Sequence, residues 1–217
     1  MDFYYGRVSG NSTRAAFGLL EAGANFQPHL LGTQKGENRS AAYLSINPMG
    51  KIPSLVDGKL KLWESNAINW YVAEKFPKAG LLPTSVDRRA LVQRWLLFQT
   101  GHVSPACIAV YRATNQRMRA FWQAASDPQA VEAGRKELAR FLPVLEGALA
   151  NQDWLERDFS IADIAYAPHL LILAEGGFNF SPYPRMRGWL DRIQARPAWR
   201  KAAEMIFGQP TIPTGWS

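Results

Sequence analysis

Apolar positions near the start of the chain change period several times, and each change marks an element. Phe3-Tyr4-Tyr5 is a short strand-like run, Asn11 to Ala22 repeats apolar residues at helical spacing, and Phe26 to Leu31 reads as a second strand with Pro28 at an edge. A short helix is predicted within Ser40 to Ser45, ended by the turn chemistry of Pro48-Met49-Gly50. Ser54-Leu55-Val56 and Leu60-Lys61-Leu62 flank Asp57-Gly58-Lys59, the pattern of a hairpin with a glycine turn. From Ser65 to Phe76 the spacing is helical again, with Ala67, Ile68, Tyr71, Val72 and Phe76 on one face and Ser65 as the expected N-cap. A βαβ unit followed by helix, hairpin and helix implies a small mixed sheet of four strands with helices on its faces.

The pattern then changes in kind. Phe76 to Thr84 carries two prolines and a glycine, the composition of a linker, and beyond it no strand signal recurs. Asp87 to Met118 reads as one long helical region interrupted near Gly101 and Pro105; Pro128 to Ala150 is amphipathic, and Arg185 to Ala195 and Ala198 to Ile206 are shorter. Ser160-Ile161-Ala162-Asp163 is a capping box with Asp in place of Glu, opening an apolar helix, with Phe159 as its hydrophobic staple. The expected organisation is a mixed α+β domain over 1–78, a linker over 79–86 and an all-α domain over 87–217.

Composition narrows the function classes. In 217 residues the net charge is +7, but the 25 Lys and Arg are scattered and form no run comparable to a nucleic-acid-binding arm. A basic balance also suits an anionic small substrate, through steering. The first residues lack the basic and apolar regions of a secretory signal, and no window has the apolar length to span a bilayer, so a cytoplasmic protein without membrane or nucleic-acid partners is expected. One cysteine, Cys107, excludes an intramolecular disulfide and a Cys-x-x-Cys pair; His29, His102 and His169 lack ligand spacing, so no metal is expected.

The chemistry concentrates in Asn47-Pro48-Met49-Gly50-Lys51-Ile52-Pro53, Asp57-Gly58 and Trp63-Glu64-Ser65-Asn66-Ala67-Ile68. Pro53 stands where a strand begins; a cis bond before it would turn the N–H and C=O of Ile52 toward a peptide laid alongside as an extra strand. Glu64-Ser65 opens a helix, offering free N–H groups and a hydroxyl to a carboxylate and a counter-charge to an ammonium. Pro at a strand start and Ser at a helix start are each common structural devices; together they describe a site for the amino-acid end of a small anionic peptide. These segments resemble the N-terminal signature of the cytosolic-type glutathione transferases, and the resemblance runs in element order over the whole chain, with the Ser160–Asp163 box as an independent match. It implies a thioredoxin-like N-terminal domain, without the thioredoxin cysteines, followed by an all-α domain. It further implies a cis bond at Pro53, backbone pairing of Ile52 with the cysteinyl part of glutathione, and Glu64 and Ser65 at its γ-glutamyl end.

Only the thiolate of glutathione attacks, and its thiol has an ordinary pKa of roughly 8.5, so the protein must supply a donor and positive potential at sulfur. In this family the donor lies at the start of the first helix, where the dipole also favours an anion. That loop, Arg7-Val8-Ser9-Gly10-Asn11-Ser12-Thr13-Arg14, has no cysteine. It resembles the bacterial, serine-type members, with the active hydroxyl at Ser9. Asn11 is the alternative donor, Ser12 an equally good cap, and Tyr4 and Tyr5 resemble the tyrosine of other classes. Lys35 and Lys51 are candidates for a ligand carboxylate, and Arg14 for pairing within the protein. The second substrate is expected against the long helix after the linker, near Gln99, His102, Pro105, Tyr111 and Arg112, with the tail from Gly208 to Trp216 as a lid. The implied activity is conjugation of glutathione, as co-substrate, to a hydrophobic electrophile by a homodimer. Glutathione-dependent disulfide or peroxide reduction is the alternative enzymatic reading, and a non-catalytic binding or scaffold protein the alternative from another class.

Overall fold

The computed structural model describes residues 1–123 and 127–216, and the chain divides into two compact units: Met1–Leu82 with Pro197–Pro210, and Pro83–Arg196 with the tail from Thr211. The first carries β1 (Asp2–Tyr5), α1 (Gly10–Glu21), β2 (Gln27–Leu30), α2 (Ala41–Leu44), β3 (Ser54–Asp57), β4 (Leu60–Trp63) and α3 (Ser65–Lys75), joined by α10 (Pro197–Phe207). Its sheet has the order β2-β1-β3-β4, parallel at β1/β2 and antiparallel elsewhere. Tyr4 pairs with Ser54, which brings the end of β1 beside the start of β3.

Phe3, Tyr5 and Leu55 from the sheet, Ala15, Ala16, Phe17 and Leu19 from α1, and Ile68 and Val72 from α3 form this unit's core. α1 is buried along nearly its whole length because α3 and α10 both pack on it. On the α3 side contact is so close that a Cβ at Gly18 would lie 2.2 Å from Asn69 Oδ1. On the α10 side Trp199 meets Phe17 edge-on, with ring centroids 5.4 Å apart. The sequence grouped 197–207 with the helical domain; by its contacts α10 belongs with the first unit, because its buried stripe of Trp199, Ala202, Ala203 and Ile206 completes the cover over α1.

The second unit contains α4 (Val86–Phe98), α5 (Ser104–Thr114), α6 (Gln116–Trp122), α7 (Pro128–Ala148), α8 (Ile161–Glu175) and α9 (Pro184–Ala195). α8 is its axis, buried at every residue from Ile161 to Ala174. The predicted capping box forms at its start: Ser160 Oγ accepts the Ala162 N–H at 3.2 Å and Asp163 Oδ2 accepts the Ser160 N–H at 2.9 Å. Phe159, the expected staple, packs on Trp154 and under the Arg196 guanidinium, 3.7 Å from its ring centroid.

The structure sharpens one detail of the long helical region and adds another. The interruption expected near Gly101 and Pro105 is not a break but one π-helical turn, Gln99–Val103, with the Ser104 N–H bonding the Gln99 carbonyl, between α4 and α5. The break comes later, at Asn115, whose side chain caps α6 at Met118 N–H and donates to the Ile172 carbonyl and to Glu175. Among the described residues no helix is long and apolar enough to cross a membrane.

Candidate active site

Four candidate residues of the first unit, Ser9, Asn11, Glu64 and Ser65, stand at the starts of α1 and α3. Ser9 is the N-cap of α1, with extended backbone (φ −132°, ψ 110°) and its Oγ accepting the Ser12 N–H at 3.2 Å. An accepting hydroxyl keeps its own proton to donate. The neighbouring hydroxyls are engaged in the fold: Ser12 Oγ accepts the Gly6 N–H at 3.2 Å, Thr13 Oγ1 donates to the Ser9 carbonyl at 2.9 Å, and both residues are fully buried. Tyr4 stacks on His29 and leans on Tyr43, and Tyr5 stacks on Phe3, so both tyrosines serve packing in the sheet.

Arg14 joins the two helix starts. Buried in α1, it donates through Nη1 to Asn11 Oδ1 and to Ser65 Oγ, each at 2.9 Å. Asn11 is exposed, with its carbonyl oxygen turned to the arginine. Asn69 in α3 in turn donates to the Arg14 carbonyl at 3.1 Å, so the arginine is held at both ends.

At α3 the cap is Glu64, not Ser65 as the sequence suggested. Glu64 has φ 70°, ψ 113° and makes no side-chain capping bond, while Ser65 is the first helical residue and is buried beneath it. A non-glycine residue with positive φ is strained, and such strain persists where surrounding structure over-determines it. The helix thus starts without a side-chain cap from Glu64, whose exposed carboxylate stands beside a serine hydroxyl already ordered by Arg14.

The third part is the approach to β3. The Ile52–Pro53 bond is cis. Lys51 is held by its carbonyl, which accepts Tyr43 Oη–H at 2.6 Å and Asn47 Nδ2–H at 2.7 Å, while its side chain is exposed. Ile52 lies against Gly6 so closely that a Cβ there would stand 2.4 Å from Ile52 Cδ1. Lys35 ends an exposed 3-10 turn, Thr33–Lys35.

The five residues expected around a second substrate separate in the helical unit. Gln99 and Tyr111 are interior: Gln99 Nε2 donates to Ser104 Oγ, which lies 2.9 Å from His169 Nδ1, and Tyr111 meets the His169 ring edge-on. His102 is exposed and packs on Phe98 and Phe141 at a groove also lined by Arg94 and Leu97. Pro105 and Arg112 are exposed too, but line a different groove with Ile108 and Asp127. The tail is tied to α9: Arg187 donates to the Trp216 carbonyl at 2.9 Å, Trp216 Nε1 donates to Asp191 at 3.1 Å, and Ile212 is buried.

The sequence pointed to pairing of Arg14 within the protein but not to its partners, which are three and 51 positions away. An arginine in a segment rich in hydroxyl side chains was the available signal.

Comparison with known proteins decides the family. The glutathione S-transferase N-terminal domain matches residues 1–74 and the glutathione S-transferase C-terminal domain residues 108–197. Glutathione S-transferase 3 of Zea mays is 33% identical over 209 residues, covering 92% of this chain and 91% of that protein. The chain belongs to the glutathione S-transferase family of enzymes. GstB, a glutathione S-transferase of Escherichia coli, is 31% identical over 196 residues, covering 89% of this chain and 92% of that one. Among solved structures, the theta class glutathione S-transferase of Xanthomonas axonopodis pv. citri with glutathione bound superposes with a TM-score of 0.83 at 28% identity, over 93% of this chain and 95% of the other. The N-terminal mixed sheet and C-terminal helices are accordingly those of the glutathione transferase fold.

Proposed function

We propose that this protein binds glutathione in its first unit, stabilises the thiolate beside Ser9 and transfers it to an electrophilic carbon of a hydrophobic second substrate. The observation that carries the reading is the Arg14 bridge, which ties the start of α1 to the start of α3 and supports treating them as one site. Two helix N-termini favour two anionic groups of one ligand, the γ-glutamyl α-carboxylate at Ser65 and the sulfur at Ser9, and the exposed Glu64 supplies the counter-charge for the ammonium. The Ile52 backbone pairs with the cysteinyl unit, and Lys35 and Lys51 face the glycyl carboxylate.

The Ser9 hydroxyl donates to sulfur and Asn11 supplies a second donor. The thiol proton leaves to solvent as the thiolate forms; the thiolate then forms a C–S bond while the bond from that carbon to its leaving group breaks, the electron pair departing with the leaving group. The protein's part is to favour the thiolate at neutral pH and to hold it near the electrophile. His102, Pro105 and Arg112 remain candidates for that second partner, whereas Gln99 and Tyr111 are placed to support the helices behind them. A cytoplasmic homodimer completes the reading, and the exposed Met49, Trp63, Val86 and Leu97 are apolar side chains for a partner subunit to cover.

Titration calorimetry with glutathione, thiolate absorbance of the complex against pH, and turnover of an aromatic halide and a mixed disulfide test this. Binding, a thiol pKa below that of free glutathione and turnover of the halide are expected. Turnover of the disulfide alone would replace conjugation by reduction, and absence of glutathione binding would remove the enzymatic reading.

A further inference from the structure

Ser9 is fixed from two sides, and one of them is built by the far end of the chain. On the helix side its carbonyl accepts the Thr13 N–H and hydroxyl, each at 2.9 Å, and its Oγ accepts the Ser12 N–H. On the other side stands Val8, buried and left-handed at φ 52°. That conformation is disfavoured for any L-residue with a Cβ, and a β-branched residue in it is a true outlier. Strain of this kind needs surroundings that hold it, and it gathers at functional sites. What holds Val8 is α10: its N–H donates to the carbonyl of Ile206, in the last turn of that helix, at 3.2 Å.

α10 is equipped to keep that carbonyl in place. Trp199 and Ile206 are fully buried, Trp199 is seated on Phe17 of α1, and Gly208 closes the helix at φ 74° with its N–H on the Glu204 carbonyl at 2.8 Å. Arg7 lies over that same end, its Nη1 3.9 Å from where a Cβ on Gly208 would stand, a cation at the negative end of a helix dipole. The loop that presents Ser9 is therefore clamped between the beginning of α1 and the end of α10, both in the first unit.

We propose that α10 is a positioning element of the thiol site: the Ile206 carbonyl holds Val8 in its left-handed conformation, and Val8 thereby sets the direction of the Ser9 hydroxyl. Val8 and Ile206 are positioning residues acting through Ser9, and the inference rests on the glutathione reading above. A clamp of this kind governs how well the hydroxyl meets sulfur, with little influence on the γ-glutamyl end, which is held at Glu64 and Ser65.

The test compares three variants in the full chain. Val8→Pro removes the donated N–H and cannot take positive φ; Val8→Gly keeps the N–H and accepts the conformation freely. Gly208→Val disturbs the end of α10 from the opposite side, since φ 74° excludes a β-branched residue. Val8→Pro is expected to lower kcat by about thirtyfold and raise the pKa of bound glutathione thiol by about one unit, with glutathione Kd changed less than about threefold. Gly208→Val, which reports independently of the loop substitution, is expected to lower kcat by about fivefold with the same direction of thiol shift, and Val8→Gly to restore kcat to within about threefold of the parent. Wild-type thiol pKa and kcat in both Val8→Pro and Gly208→Val would overturn the clamp, as would equal losses in Val8→Gly and Val8→Pro. A parent protein that fails to bind glutathione sinks the proposed function instead, a result read before any variant is made.

Discussion

The starts of α3 and α8 use the same parts to opposite ends. Each offers a serine, a carboxylate and the N-terminus of a helix. At α8 everything is consumed internally: Asp163, fully buried, accepts N–H groups from Leu155, Ser160 and Trp189, each at 2.9 Å, while Ser160 Oγ caps Ala162. At α3 the carboxylate of Glu64 is exposed and caps nothing, and the serine hydroxyl is ordered from below by Arg14. A terminus capped by its own side chains stabilises a fold; one whose strained cap residue makes no side-chain bond is suited to meet a ligand.

Breaking the closed terminus is expected to give the largest effect. Asp163→Ala strands three buried donors in the helical core and should cost about 3–5 kcal/mol of stability, read from urea midpoints, with kcat per folded molecule little changed. A cost below about 1 kcal/mol would mean that α8 does not depend on its box.

The same carboxylate makes the contrast visible in pH. Burial pushes the Asp163 carboxyl up to about 6 against its three hydrogen bonds, whereas in the unfolded chain it titrates near 3.8. The folded state therefore binds more protons between those values, so this group's contribution to stability falls as pH rises from about 4 to about 6, by about 3 kcal/mol in all. Urea midpoints taken through that window should show this decline superposed on the rest of the titration, and Asp163→Asn should remove it. An unchanged slope in Asp163→Asn would mean that the carboxyl titrates alike in both states.

Ser9→Ala probes the open side. Glutathione affinity should stay nearly intact while conjugation falls at least about tenfold, about 1.4 kcal/mol of barrier. An unchanged rate would move the donor role to Asn11.

Which of these features could be read from the chain follows the range of the contacts behind them. The strands, α1, α3 and the box at α8 announce themselves through periodicity and caps within a few residues. So did the Glu64-Ser65 and Ile52-Pro53 pairs, because a family signature is a local string. The remainder depends on distant partners. Asn115 ends α5 because Ile172 and Glu175 receive its side chain; the π turn at Gln99–Val103 is fastened by Ser104 and His169; α10 joins the first unit because Trp199 finds Phe17. Val8 is the sharpest case. Nothing in Arg7-Val8-Ser9 suggests a left-handed residue, and glycine, the usual marker, is absent from the position; the reason lies in Ile206.

The smallest expected effect separates the two termini most cleanly, because it reverses sign. Glu64 adopts φ 70° without a capping bond in return, so Glu64→Gly relieves strain at no loss of internal contact and should raise stability by about 1 kcal/mol. The same substitution removes the carboxylate that faces the ligand's ammonium, and glutathione Kd should rise about tenfold. Stability and binding then move in opposite directions at α3, whereas at α8 the loss of a carboxylate lowers stability and touches no ligand. Calorimetric titration and urea unfolding on the one variant decide it: if Glu64→Gly is less stable than the parent, the carboxylate is structural after all, and the distinction between an open and a closed helix start fails.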